Sequence, residues 1–254
     1  SGRARILSID TAPALQVAGV VRVLTPDDLP KPMPRFGVNY KDRPVMADGV
    51  VNYDGEPVAL VLAESSDAAR AGARAVRVEF EEIPGVFTLE QALAENAPLA
   101  QDASDPTVRP NDPRRLSNVI EEQLVEWGDL SAEESKADLI IEGEYTYPMM
   151  THFPIEPLAT VVQPNDDGGL TLFIPVQHPY LLQYTIAGLV GLPLSRLRVV
   201  APDPGGGFGG KQIAKYSPLL SFAAVITGRT CRMVLSLEET NRAIRRAGSR
   251  VRAR

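Results

Sequence analysis

The sequence predicts a mixed α+β or α/β fold in two parts, and three observations carry that reading. Residues 57–83 run strand, helix and strand in close succession, the pattern of a compact α/β domain. Residues 85–118 then lose regular periodicity, with prolines at 84, 98, 106, 110 and 113 interrupting every pattern. From 119 onward strand patterns return, together with two apolar helical runs that each stop at a glycine. The expected organisation is therefore an α/β domain at 1–84, a Pro-rich inter-domain linker at 85–118 and a second domain at 119–254.

The elements follow in chain order. "ARILSID" alternates apolar and polar positions as a strand and meets a turn signal at Asp10-Thr11. "VVRVLTPDDLP" is a strand closed by a Pro/Asp turn. "EPVALVLAE" is apolar on both alternate faces, which predicts a strand covered on both sides. "SSDAARAGARAV" opens with Ser/Asp cap candidates before an Ala-rich helical run. "RVEFEEIP" is a strand, and "TLEQALAEN" is a short helix within the linker. Strands are then expected at "NVIEEQLVEWG", "ADLIIEGEYTYP", "ATVVQP" and "LTLFIPVQ". "PYLLQYTIAGLVGLP" has helical spacing and stops at Gly191 and Pro193. "RLRVVAP" is a strand entering a glycine-rich loop, "SPLLSFAAVITG" a buried helix ended by Gly228, and "TCRMVLSLEE" a further strand.

Composition excludes several function classes. A formal net charge of −6 argues against a nucleic-acid partner, because phosphate neutralisation needs a basic surface. The C-terminal arginines (Arg242, Arg245, Arg246, Arg250, Arg252, Arg254) read as a solvated helix face or strand pair. The single cysteine, Cys231, permits no intrachain disulfide and no Cys-ligated Fe–S cluster or zinc site. It lies in an apolar strand as an inert buried thiol, and a reducing, cytoplasmic location is expected. No apolar run is long enough to span a membrane. The chain starts without Met and stops in mid-pattern, so it is expected to be a piece of a longer protein.

The loop "PDPGGGFGGKQ" (202–212) packs five glycines around Phe208. Gly205-x-Gly207-x-x-Gly210 satisfies the GxGxxG dinucleotide fingerprint between strand and helix. Glu238 and Glu239 stand too far along for the ribose-binding acid, and Pro218 is expected to interrupt the helix start. Gly205-x-x-x-x-Gly210-Lys211 satisfies the P-loop up to its last residue, where Gln212 replaces the Ser or Thr that holds Mg²⁺. A plain tight turn would need fewer glycines, each of which costs backbone entropy. The residues of the loop alone leave these three readings open.

The flanking segments add a fourth. "GGGFGGK" after "RLRVVAPD" resembles the signature of the molybdenum hydroxylases, the xanthine dehydrogenase/aldehyde oxidase family. "RILSID…GVVRVLTPDDLP" and "YDGEPVALVLAESSDAARAGARAVRVEFEEIP" resemble that family's α/β hammerhead domain. "HFPIEPLATVV", "VQHPYLLQ" and "GLPLSRLRVVAPDPGGGFGGK" resemble the first part of its molybdenum-cofactor-binding domain. The motifs are collinear and cover nearly the whole chain.

The resemblance implies a molybdopterin-type cofactor against the loop, with Gly206, Gly207, Phe208 and Gly209 as contacts. It also implies that the Gln177 side-chain amide approaches the metal's ligands. Without the resemblance, Gln177 reads as an amide satisfying turn backbone. His152 and Glu156 stand four apart, but Pro154 and Pro157 forbid a helix there, so both read as packing and hydrogen-bonding groups. His178 and Lys211 read as structural. Gln212 stands where purine hydroxylases carry Glu, which weakens a purine substrate.

Members of the family oxidise aldehydes or hydroxylate N-heterocycles with water as oxygen source. They use a Glu general base and pass electrons to Fe–S clusters and FAD. That base belongs to a region beyond Arg254, so neither a catalytic residue nor a protein metal ligand is expected in this chain. Partners implied are an Fe–S subunit, an FAD subunit and the remainder of the cofactor-binding domain, in a homodimer of the full complex. Alone, the chain is expected to show no turnover and to hold cofactor weakly or not at all. Two rival classes stand beside this one: a nucleotide-binding protein using the loop, and a non-catalytic, partner-dependent subunit.

Overall fold

A computed structural model describes residues 2–38, 40–100, 109, 112–212 and 215–254. The first part runs β1 (Ala4–Asp10), one turn of helix α1 (Ala12–Leu15), β2 (Val20–Leu24), three two-residue strands, β6 (Leu60–Ala63), α2 (Ser66–Ala75) and β7 (Arg77–Glu82). The short strands are β3 (Arg35–Phe36), β4 (Arg43–Pro44) and β5 (Val50–Val51). β1 is central in an antiparallel β5-β1-β7 sheet, and β2 pairs antiparallel with β6. The "EPVALVLAE" strand is shorter and less covered than its apolar run implies. Only Leu60–Ala63 pair, and all four are half-buried, because β6 has a single strand neighbour.

α2 begins where its cap residue predicts. The Ser65 hydroxyl accepts the Ala68 N–H at 3.2 Å, satisfying one orphan donor of the first turn. Its buried Gly72 lets the helix lie flat on the β2/β6 pair: a Cβ there would sit 2.7 Å from Val20 and 2.8 Å from Val61. Gly72→Ala is therefore expected to destabilise the chain by about 1–3 kcal/mol through overpacking. Alanine's higher helix propensity, roughly 1 kcal/mol, does not offset this. A urea midpoint that rises in the variant would contradict it.

The remainder runs α3 (Leu89–Leu93), α4 (Leu130–Glu134), β8 (Gly143–Tyr147), β9 (Ala159–Pro164), β10 (Leu170–Phe173), α5 (Pro179–Val190) and β11 (Leu197–Val200). It ends with α6 (Ser217–Thr227), β12 (Cys231–Val234), α7 (Leu237–Ala243) and β13 (Ser249–Ala253). The sheet order is β11-β10-β9-β12, with only the β10/β11 pair parallel. β13 returns to pair with β8. α5 and α6 both end on left-handed glycines, Gly191 and Gly228, as expected of C-caps. Among the described residues no helix is long and apolar enough to cross a membrane.

Three sequence expectations fail for identifiable reasons. The alternating stretch from Asn118 to Gly128 forms no strand: its apolar side chains find no face to bury against, and Leu124 and Trp127 are 81% and 85% exposed. The strand expected at "TCRMVLSLEE" stops at Val234, because Ser236 opens α7 with a capping box. Its hydroxyl accepts the Glu239 N–H at 3.1 Å, and the Glu239 carboxylate accepts the Ser236 N–H at 2.6 Å. Pro218 does not interrupt α6. It sits in the first turn, where its missing N–H costs nothing.

One continuous core joins both parts. Leu24, Leu29, Phe36 and Met46 from the first 84 residues pack in one cluster with Val162, Leu172, Leu182, Ile186, Leu220 and Phe222. α6 is buried along its whole first two turns, so it forms a floor beneath the sheet and fixes what precedes it.

Candidate functional site

β11 delivers the chain to the glycine loop, and the loop curls through three left-handed residues. Gly206 has φ +92°, Phe208 φ +48° and Gly209 φ +92°. Two glycines meet this need without a side chain to clash. Phe208 adopts it at a cost, as residues at functional sites often do. The turns are closed by the Gly206 N–H donating to the Pro204 carbonyl at 2.8 Å and the Gly210 N–H to the Gly207 carbonyl at 2.6 Å. The ring of Phe208 is held out, 73% exposed.

An ion pair between a buried lysine and a half-buried glutamate anchors both ends of the loop. The Glu156 Oε2 accepts from the Gly205 N–H at 2.7 Å and from Lys211 Nζ at 2.5 Å. The Lys211 side chain is only 1% exposed. Glu156 is itself placed by Thr240 of α7, whose hydroxyl accepts the Leu158 N–H at 3.0 Å. This geometry disposes of the P-loop reading. The lysine that would reach a phosphate is consumed inside the protein, and α6 begins only at Ser217. The largely antiparallel sheet likewise lacks the parallel order of a dinucleotide-binding fold.

Gln177 lies just beyond β10, and its N–H donates to the Lys211 carbonyl at 2.8 Å. Its side-chain amide stands directly over the loop: a Cβ on Gly207 would fall 2.6 Å from Oε1 and 3.1 Å from Nε2. The structure thus brings Gln177 together with Gly206, Gly207, Phe208 and Gly209. The N–H groups of Gly207, Phe208 and Gly209 meet no acceptor among the described residues. Gly207 is buried, so its unpaired donor is costly unless something outside the chain accepts from it.

His152 backs the loop, with Nε2 3.6 Å from the Cβ position of Gly209 and its buried Nδ1 unpartnered. Burial, then Lys215 and Arg246, hold its imidazole below the ordinary histidine value, so it is neutral at pH 7. His178 is the exposed N-cap of α5 and makes no side-chain cap bond; Gln212 is also exposed. Cys231 is buried, and burial pushes its thiol up. Among the described residues no three His, Cys, Asp or Glu side chains cluster as metal ligands.

Sequence reasoning passed over Glu156 as an anchor and Lys215 altogether. The first is paired with a residue 55 positions away, which no local period reveals. The second is unusual through its surroundings: burial, then Arg43, pull its amine down to about 8. At pH 8 roughly half of Lys215 is therefore neutral, against under about 1% of an ordinary lysine. Acetylation followed by peptide mass spectrometry is expected to show a Lys215 labelling midpoint near pH 8; a midpoint above 10 would contradict this.

Comparison with known proteins agrees with this geometry. Residues 1–84 match the family model of the aldehyde oxidase and xanthine dehydrogenase a/b hammerhead domain, and residues 111–251 that of the molybdopterin cofactor-binding domain. The nicotinate dehydrogenase large molybdopterin subunit of Eubacterium barkeri is 32% identical over 93% of this chain and 52% of its own length. The xanthine dehydrogenase/oxidase of Mus musculus is 31% identical over 93% of this chain and 16% of its own. The solved aldehyde oxidoreductase of Desulfovibrio gigas superposes with a TM-score of 0.81 at 30% identity, over 97% of this chain and 27% of its own. The chain thus spans about half the length of the first of these relatives and a smaller share of the others. With the cofactor-binding model matching more than half of its residues, the chain belongs to the molybdenum hydroxylase family, carrying the a/b hammerhead and molybdopterin cofactor-binding domains of the aldehyde oxidases and xanthine dehydrogenases.

Proposed function

We propose that this chain forms one wall of the active site in a molybdenum hydroxylase that oxidises an aldehyde or hydroxylates an N-heterocycle with water as oxygen source. The observation that carries the reading is the cradle at Gly207–Gly209. Three consecutive N–H groups lack acceptors among the described residues, and the Gln177 amide stands over the Cβ-free face of Gly207. Such a surface fits a flat, oxygen- and sulfur-rich molybdopterin group, which when bound supplies the two-electron redox chemistry.

The chain's own residues do the positioning. The N–H groups of Gly207, Phe208 and Gly209 donate to the cofactor, and the Gln177 amide adds a donor from the facing side. Phe208 keeps water off one flank and shapes the substrate approach. The Glu156–Lys211 pair and neutral His152 hold the loop in the strained form that this requires. Glu156 is engaged by Lys211 and Gly205, and Asp203 at the loop's entry is exposed to solvent, so the general base is assigned to a Glu outside these 254 residues. Electron transfer to Fe–S and FAD partners, assembly as a homodimer of the full complex and a cytoplasmic, reducing location belong to the same proposal. The single Cys231 supports the first and last parts of that picture only in offering no cluster ligands and no disulfide.

The chain alone is expected to show no aldehyde or N-heterocycle oxidation with a dye acceptor, since the base is missing. Turnover by the purified 254-residue chain would overturn the assignment of the base.

A further inference from the structure

We propose that the cavity between the 43–57 segment and the α6–α7 region is a binding site for an aromatic or heteroaromatic carboxylate. The cavity encloses about 490 Å³, within the range of roughly 300–1,000 Å³ typical of small-molecule sites. Its walls join two distinct chemistries. Arg43, Lys215, Arg242 and Arg245 bring four cations to it, against one lining carboxylate, Asp54. Phe36, Tyr53 and Tyr216 supply flat apolar faces.

The cations are not all spoken for. Arg242 pairs with Glu238 at 2.8 Å, and Arg245 with Asp54 at 3.4 Å. Arg43 lies over the Phe36 ring, 5.7 Å from its centroid, and makes no ion pair among the described residues. Lys215 has no hydrogen-bond or ion-pair partner there either, although it is largely removed from water. Arg43 feels the nearby buried Glu56 carboxylate, but Lys215 has only the Arg43 guanidinium beside it, and a partly desolvated ammonium next to a second cation is a standing electrostatic cost. A carboxylate placed between them removes that cost, and a guanidinium offers it a bidentate fork. The aromatic walls then select a planar body over a bare ion. Tyr216 is held in place by its hydroxyl, which donates to the Gly55 carbonyl at 2.8 Å, so the aromatic wall is pre-formed.

The cavity neighbours the loop but is separate from it. Ile244 packs on Gly210, 2.8 Å from the Cβ position, while the adjoining Ala243 and Arg245 line the cavity. The proposal concerns the cavity alone and stands whether or not the loop holds a cofactor.

Isothermal titration of the full 254-residue chain with benzoate, benzamide and inorganic phosphate tests it. Benzoate is expected to bind saturably at one site, at least ten times more tightly than isosteric benzamide or phosphate. Lys215→Met and Arg43→Gln are each expected to weaken benzoate at least tenfold, whereas Lys136→Met, in the exposed turn after α4, leaves it unchanged. Equal affinity for benzamide would show that the cations do not select the ligand. Equal affinity for phosphate would show an anion site without aromatic selection. Either result overturns the proposal, as does full benzoate affinity in both cavity variants. Should one variant fail to fold, the other variant and the comparison of the three ligands on the unaltered chain still decide.

Discussion

Glu156→Ala is expected to lower the stability of the chain by about 3 kcal/mol, the lower end of the range of roughly 3–5 kcal/mol for breaking a buried ion pair. The substitution leaves the Lys211 ammonium, 1% exposed, without its carboxylate and the Gly205 N–H without its acceptor. The lower end applies because Glu156 is itself 35% exposed, so water partly reaches the pair. Glu156→Gln keeps an acceptor but no charge and is expected to fall between. Adding Lys211→Met to Glu156→Ala is expected to recover part of the loss, because the uncompensated charge then disappears. Urea unfolding of the three variants checks the series; a loss below about 1 kcal/mol for Glu156→Ala would mean that the pair does not anchor the loop.

The second large effect separates the loop's conformation from its contacts. In the complete enzyme complex, Gly209→Ala is expected to reduce molybdopterin content more than tenfold. It is also expected to cost at least about 1–2 kcal/mol of stability, since φ +92° excludes a Cβ. Gly207→Ala is expected to reduce the content similarly while changing stability by under about 0.5 kcal/mol. No left-handed angle is involved there. The new Cβ meets only the mobile end of the Gln177 side chain, which moves aside and withdraws the amide from the site. Pterin fluorescence and metal analysis, read beside unfolding curves, resolve the two. Full cofactor content in Gly207→Ala would remove Gln177 from the site.

What was legible in the sequence was local. The glycine stops of α5 and α6, the Ser65 cap of α2 and the strand–loop–helix setting of "PDPGGGFGGKQ" all follow from short-range chemistry. What was not legible depended on partners distant in sequence. The 118–128 stretch carries a strand's alternation, but no strand among the described residues offers it a ladder. The capping box at Ser236 was visible as "SLEE", yet the preceding apolar run drew the strand reading past it. Glu156 meets Lys211, and Arg43 approaches Lys215, only because the core shared by the first and last parts of the chain folds them together. The two glycine-motif matches misled for the same reason. They record spacing, while Lys211's burial, which excludes a phosphate role, exists only in three dimensions.

The central claim is that the loop and Gln177 hold a molybdopterin group and not a nucleotide. The most direct test is cofactor analysis of the complex containing this chain, purified from a host that makes molybdenum cofactor, beside its Gly206→Ala/Gly209→Ala variant. The account predicts molybdenum and pterin in near-stoichiometric amounts in the unaltered complex and less than a tenth of each in the variant, with no saturable binding of ATP or NAD to either. Equal molybdenum and pterin in the two, or saturable nucleotide binding that the double substitution abolishes, would contradict it.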